Sequence, residues 1–189
     1  MIMSEKSPIL TIKIVLTAIF IAVGVVLSSL NPFGYIILFG TKINPFAHLI
    51  NVITAVLIGI AFSSLTALGI AIIRYTTYLG TIHAFHGGIS GAVVVGIVAY
   101  IIWKKKPKYV EYAAFTEPIG TVFIGGTIGE LLLPIYGSIS LGGLLLYWWL
   151  FFWSSLVGCI IGFLILKILK RSGYSRETFF KPAQNLSKQ

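Results

Sequence analysis

Apolar runs of membrane-crossing length follow one another through almost the whole chain, and the lysines and arginines fall in three groups beside them. Lipid offers no partner to a backbone amide, so such runs fold as helices packed on helices. At about 20 residues per crossing of a ~30 Å hydrocarbon layer, 189 residues hold about six crossings and leave no room for a soluble domain. Charged residues make up 10% of the chain, against about 25% in a soluble domain.

The pattern predicts an all-α membrane protein with transmembrane helices over 9–30, 45–62, 65–78, 89–103, 111–133 and 144–169. Asn44-Pro45 suits the start of the second. Ser63-Ser64 reads as a very short connection, and residues 80–88 read as a polar loop. Residues 1–172 then form one six-helix domain and 173–189 a polar, basic tail. The first run reads as a retained span, being longer than a signal-peptide core and lacking a small-x-small site. The single cysteine, Cys159, lies in an apolar run and makes no internal disulfide.

With six spans, the basic groups share one side: Lys6 and Lys13; Lys104, Lys105, Lys106 and Lys108; Lys167, Lys170, Arg171 and Arg176. The positive-inside rule puts that side, with both termini, in the cytoplasm. The net charge of +9 is therefore expected to meet acidic head groups rather than nucleic acid. The loops after the first, third and fifth spans face outward, and the expected location is the cell membrane.

An ionisable side chain inside a bilayer costs about 2.5 kcal/mol or more, so each is a functional candidate. Most cluster toward the outer end. His48 and Asn51 are three residues apart on one helical face. Arg74 lies late in the third span, His83 and His86 in the second outer loop, Glu130 at the end of the fifth span, and Trp148 at the start of the sixth. Imidazole, amide, guanidinium and carboxylate groups with aromatic walls suit a small, flat, polar molecule. Arg74 and Glu130 are candidates to neutralise each other. The stretch 31–42, with Pro32, Phe33, Tyr35, Phe39 and Lys42, is a candidate lid. Glu117, deeper in the fifth span, suits coupling or helix contact as well as ligand binding.

Other chemistry is weaker. Gly88-Ile89-Ser90-Gly91 has the form of an intramembrane serine hydrolase, but no histidine follows His86 to serve as its base. Three histidines without aspartate or an HExxH motif make a poor zinc site, so no metal or cofactor is expected. With no phosphate-binding loop, the chain does not itself hydrolyse ATP. A stand-alone proton-coupled carrier built on Glu117 remains a second reading. Small residues recur four apart at Ala18/Ala22, Gly87/Gly91, Gly125/Gly129 and Gly158/Gly162, a spacing for close packing or for docking another membrane protein.

Three stretches carry a family resemblance: Thr41-Lys42-Ile43-Asn44-Pro45-Phe46-Ala47-His48-Leu49-Ile50-Asn51-Val52, Arg74 through Gly80-Thr81 to Ala84-Phe85-His86-Gly87, and Glu117-Pro118-Ile119-Gly120-Thr121. Together they resemble the ThiW family, regarded as substrate-binding (S) components of energy-coupling-factor (ECF) transporters. Ala47, Tyr75 and His86 depart from the family's usual glutamine, asparagine and proline. The resemblance implies six helices and no ATPase of its own. It implies a vitamin precursor, hydroxyethylthiazole, bound from outside. It also implies a transmembrane coupling subunit and two ATPase subunits as partners, with the first helix, here Ala18 to Ala22, as the docking face. His48, Asn51, Arg74, His83, His86, Glu130 and Trp148 are the expected ligand contacts, with Ala18, Ala22 and Glu117 expected in docking or coupling.

Overall fold

The structure is a computed structural model and describes residues 6–30, 37–38, 41–42 and 44–180. It is helical apart from a short antiparallel ribbon, β1 (Ile37–Leu38) and β2 (Thr41–Lys42), which pairs Ile37 with Lys42 and Leu38 with Thr41. The helices are α1 (Lys6–Ser29), α2 (Pro45–Leu57), α3 (Ile60–Thr76) and α4 (His83–Lys105). A composite fifth rod follows: a 3-10 helix (Pro107–Thr116), a π-helical stretch (Ile119–Gly125) and α5 (Gly126–Leu132). α6 (Leu141–Arg171) and a terminal 3-10 helix (Arg176–Phe179) complete the chain.

Three helical segments are long and apolar enough to cross a bilayer: 9–29 of α1, α4 and α6. With shorter apolar helices between them, the chain is a multi-pass membrane protein. α2 has 13 residues, about 20 Å at 1.5 Å per residue, so it does not traverse the hydrocarbon layer by itself. It is the core of the bundle, with Ile50, Val52, Ala55 and Val56 no more than 1% exposed. Lipid tails are as apolar as these side chains, so close van der Waals packing has to hold α2 in place. Glycines make it possible. A methyl group at Gly158 of α6 would sit 2.5 Å from the Pro45 carbonyl and 2.6 Å from His48 Cβ.

Two boundaries differ from the sequence reading. α2 ends at Leu57 and the chain turns at Gly59, whose φ of +93° suits glycine. Ser63 and Ser64 are inside α3. The cause lies 120 residues away: Arg176 Nη1 donates to the carbonyls of Ala55 (3.0 Å) and Val56 (2.7 Å), which have no partner within α2. The 80–88 segment is also not all loop, because α4 begins at His83. Gly87 falls in the segment read as loop, yet it packs as its spacing to Gly91 suggests: an added methyl would meet Phe151 at 3.2 Å.

The terminal 3-10 helix folds back on the bundle. Arg176 is 2% exposed, with Trp103 and Phe180 rings 5.3 and 4.4 Å from its guanidinium carbon. Burial lowers its pKa to about 10, so it remains a cation at neutral pH. The Phe180 ring also takes Lys13 Nζ of α1, 3.2 Å from its centroid.

Candidate functional site

α4 has 23 residues, about 34 Å of helix, which separates His83 at one end from the lysine run at the other. The polar candidates gather in the His83 half, in two patches.

The first patch joins α2 to the fifth rod. His48 Nδ1 donates to Glu117 Oε1 at 2.6 Å, with the carboxylate side chain fully buried and the imidazole 12% exposed. Thr121 Oγ1, one turn along, lies 2.6 Å from the same oxygen and 3.1 Å from the Gly87 carbonyl, so its single proton serves one acceptor at a time. The node fits because Gly91 of α4 has no side chain. A methyl there would collide with Glu117 Oε1 and Thr121 Oγ1. Glu117 Oε2 is buried without a hydrogen-bond partner. The π-helical winding of Ile119–Gly125 begins directly after Pro118, whose missing N–H already breaks the α ladder. Glu117 thus sits beside His48, within the group expected to contact ligand.

Asn51, 1% exposed, donates Nδ2 to the Gly88 carbonyl at 2.9 Å. Next to it, Ala47, Asn51, Ala67, Ile70, Ala71, Arg74, Ala84 and Gly88 enclose a void of about 10 Å³ between α2, α3 and α4. Arg74 is half-buried there, and its Nε has no partner. Turning the Asn44 amide oxygen toward α3 lets it accept from Arg74 Nη1 at 3.2 Å and Nη2 at 2.7 Å. Arg74 therefore meets the residue capping α2, and not the Glu130 that the sequence offered as its counter-charge.

The second patch is a chain of rings on α4 and α6. His86 Nδ1 lies 2.7 Å from the Gly125 carbonyl, which only accepts, so Nδ1 carries the proton. His86 Nε2 then accepts from His83 Nδ1 at 3.1 Å. With both rings neutral, His83 Nε2 is left as an open acceptor. Tyr147 donates to the Leu133 carbonyl at 2.9 Å and packs against both imidazoles, with centroids 5.3 and 6.1 Å away. His83 and Tyr147 line an open cavity of about 460 Å³ with Ile82 and Leu132 to Ile135. Its polar atoms sit in a mostly apolar wall, the composition that holds and orients small ligands.

Other candidates lie elsewhere. Glu130, 1% exposed, accepts from the backbone of Ile135 (3.3 Å) and Ser140 (2.9 Å) and pins the loop before α6. Trp148 donates to Thr127 at 3.2 Å and packs on Phe123, against the fifth rod. Ser90 commits its proton to the His86 carbonyl at 2.6 Å. His48 is separated from the histidine pair, and among the described residues no three metal-ligating side chains gather. Ala18 and Ala22 lie on the exposed stripe of α1 with Ile19 and Val26. Residues 31–36 and 39–40 of the candidate lid lie outside the described residues, as does the Lys42 side chain.

Thr121, Gly91 and Tyr147 are the participants that the sequence reading did not place in the site. Tyr147 had a signal. It falls on the α6 face marked by Gly143, Gly158 and Gly162, about 100° of helix from Trp148.

A family model described as thiamine-precursor transporter protein (ThiW) matches residues 14–172. None of the curated proteins and none of the solved structures matches the chain.

Proposed function

Because the chain belongs to the ThiW family of thiamine-precursor transporters, we propose that it is the substrate-binding subunit of an ATP-driven importer for hydroxyethylthiazole in the cell membrane. Its partners are a transmembrane coupling subunit and two ATPase subunits, and both termini face the cytoplasm. The observation that supports the reading is the cavity of about 460 Å³ that His83 and Tyr147 line, with His86 bonded to His83 behind it and His48, Asn51 and Arg74 forming a second polar patch in the same half of the bundle. His83 Nε2 is an acceptor for a hydroxyl group, and the rings of Tyr147 and Phe151 flank His86. The exposed Ala18/Ala22 stripe of α1 supports docking of the coupling subunit. Calorimetric titration of the purified chain against the thiazole, the pyrimidine precursor and thiamine tests the substrate. Thiazole binding without the others is expected, and binding of neither precursor would remove the reading.

A proton-coupled carrier working alone is the second reading, favoured by the fully buried Glu117 carboxylate bonded to His48. The chain reconstituted alone in vesicles under an imposed proton gradient separates the two. Uphill thiazole uptake without any ATPase would replace the first reading by the second.

A further inference from the structure

The lysine-rich end of the bundle holds a second cavity, of about 350 Å³, that solute transport leaves unused. Trp103 ends α4 beside it. Lys108 and Glu111 line it from the 3-10 helix of the fifth rod, Lys170 from α6, and Arg176 and Glu177 from the terminal helix. Two of these side chains are buried with an open valence. Glu111, 3% exposed, takes Lys170 Nζ on Oε1 at 2.8 Å, while its Oε2 has no partner. Arg176, 2% exposed, spends Nη1 on the α2 carbonyls, while its Nε has no partner. Buried polar atoms without partners are rare. Here one is an acceptor and the other a donor, both on side chains that line a single cavity. The space exceeds the roughly 30 Å³ of one water many times over and reaches the lower end of the ~300–1,000 Å³ range of ligand sites.

Position and charge narrow the occupant. Trp103 and the lysines at 104–106 mark the level at which a bilayer turns from acyl chain to head group. A plain anion would satisfy Arg176 and Lys108 but leave the Glu111 oxygen facing like charge. A quaternary ammonium has no N–H to give Glu111. A primary ammonium joined to a phosphodiester answers both, donating to Glu111 Oε2 and accepting from Arg176 Nε and the basic rim. We propose that this cavity is a binding site for an aminophospholipid head group, phosphoethanolamine in class, held between the end of α6 and the terminal helix.

Native mass spectrometry of the full-length protein tests the site. The protein is offered equal amounts of phosphatidylethanolamine, phosphatidylcholine and phosphatidylglycerol with identical acyl chains. Retention of the ethanolamine lipid about tenfold above both others is expected, the scale of one charge-assisted hydrogen bond. Glu111→Gln should bring its retention down to that of the choline lipid. Equal retention of all three, or a preference for the glycerol lipid, would overturn the proposal by reducing the rim to a general basic surface. So would an ethanolamine preference that survives Glu111→Gln. Displacement of the lipid by equimolar soluble phosphoethanolamine would overturn it too, making the occupant a free metabolite. The measurement contains no thiazole, so it passes or fails independently of the transport reading.

Discussion

Replacing His48 and Glu117 by leucine, singly and together, measures what joins α2 to the fifth rod. Their bond is 2.6 Å long, between a carboxylate with no exposure and an imidazole 12% exposed. Neutral side-chain bonds between membrane helices couple by about 0.6 kcal/mol on average, with a maximum near 1.7. Charge assistance roughly doubles a hydrogen bond, which puts this coupling at about 1–2 kcal/mol. Each single change should weigh more than that, because removing one partner of a buried pair costs about 3–5 kcal/mol. His48→Leu leaves the Glu117 carboxylate with Thr121 as its remaining donor. The double variant replaces a polar pair by apolar side chains in an apolar setting, so it should be more stable than the sum of the singles. Reversible unfolding in mixed micelles, followed by tryptophan fluorescence, gives the four free energies. Additivity within about 0.5 kcal/mol would refute the reasoning and demote the 2.6 Å contact to mere proximity.

Three further outcomes follow from the same geometry. Gly91→Ala should destabilise by about 1–3 kcal/mol and abolish thiazole binding in calorimetry, because its methyl enters the space of Glu117 and Thr121. Gly88→Ala, with nothing within 4 Å of its added carbon, should leave both unchanged or raise stability slightly, and equal effects at the two glycines would contradict the packing. Glu130→Gln should loosen the loop before α6, whose Leu133 to Ile135 wall the cavity, speeding hydrogen exchange at the Ile135 and Ser140 amides about tenfold and weakening thiazole affinity, since one bond lost to a charged acceptor is worth about 1.5–3 kcal/mol. Ala18→Trp, on the exposed face of α1, should stop uptake by the reconstituted complex and leave calorimetric affinity unaltered, whereas an equal fall in affinity would show that the face is misassigned.

How much of this was legible in the sequence varies with range. Apolar runs and charge clusters are local signals, and they located the six main helical regions within several residues, but the terminal 3-10 helix at Arg176–Phe179 fell in the stretch read as a polar tail. The α2 boundary was not local. Ser63-Ser64 carried the turn-forming composition, yet the break falls at Gly59, where Arg176 caps carbonyls from the far end of the chain. His83 and His86 were drawn into a loop by Gly87-Gly88, because glycine needed for close packing and glycine needed for a turn look alike in one dimension. Grouping His48 with Asn51 needed only helical periodicity. Bringing Glu117 to His48 needed the tertiary fold, since 69 residues separate them. Arg74 and Glu130 carry opposite charges, but each is already engaged within its own neighbourhood, by Asn44 and by backbone amides.

The winding of the fifth rod has a mechanical consequence. Its first ten residues follow a 3-10 path, rising about 2.0 Å per residue where an α-helix rises 1.5. Rewound as α-helix, that stretch would shorten by about 5 Å, close to one full turn. The π-helical stretch beyond it is wound in the opposite sense of tightness, with Glu117 at the seam between the two. Exchange of either stretch for α-helical hydrogen bonding would change the length of the rod at that seam and so carry Glu117 along the bundle.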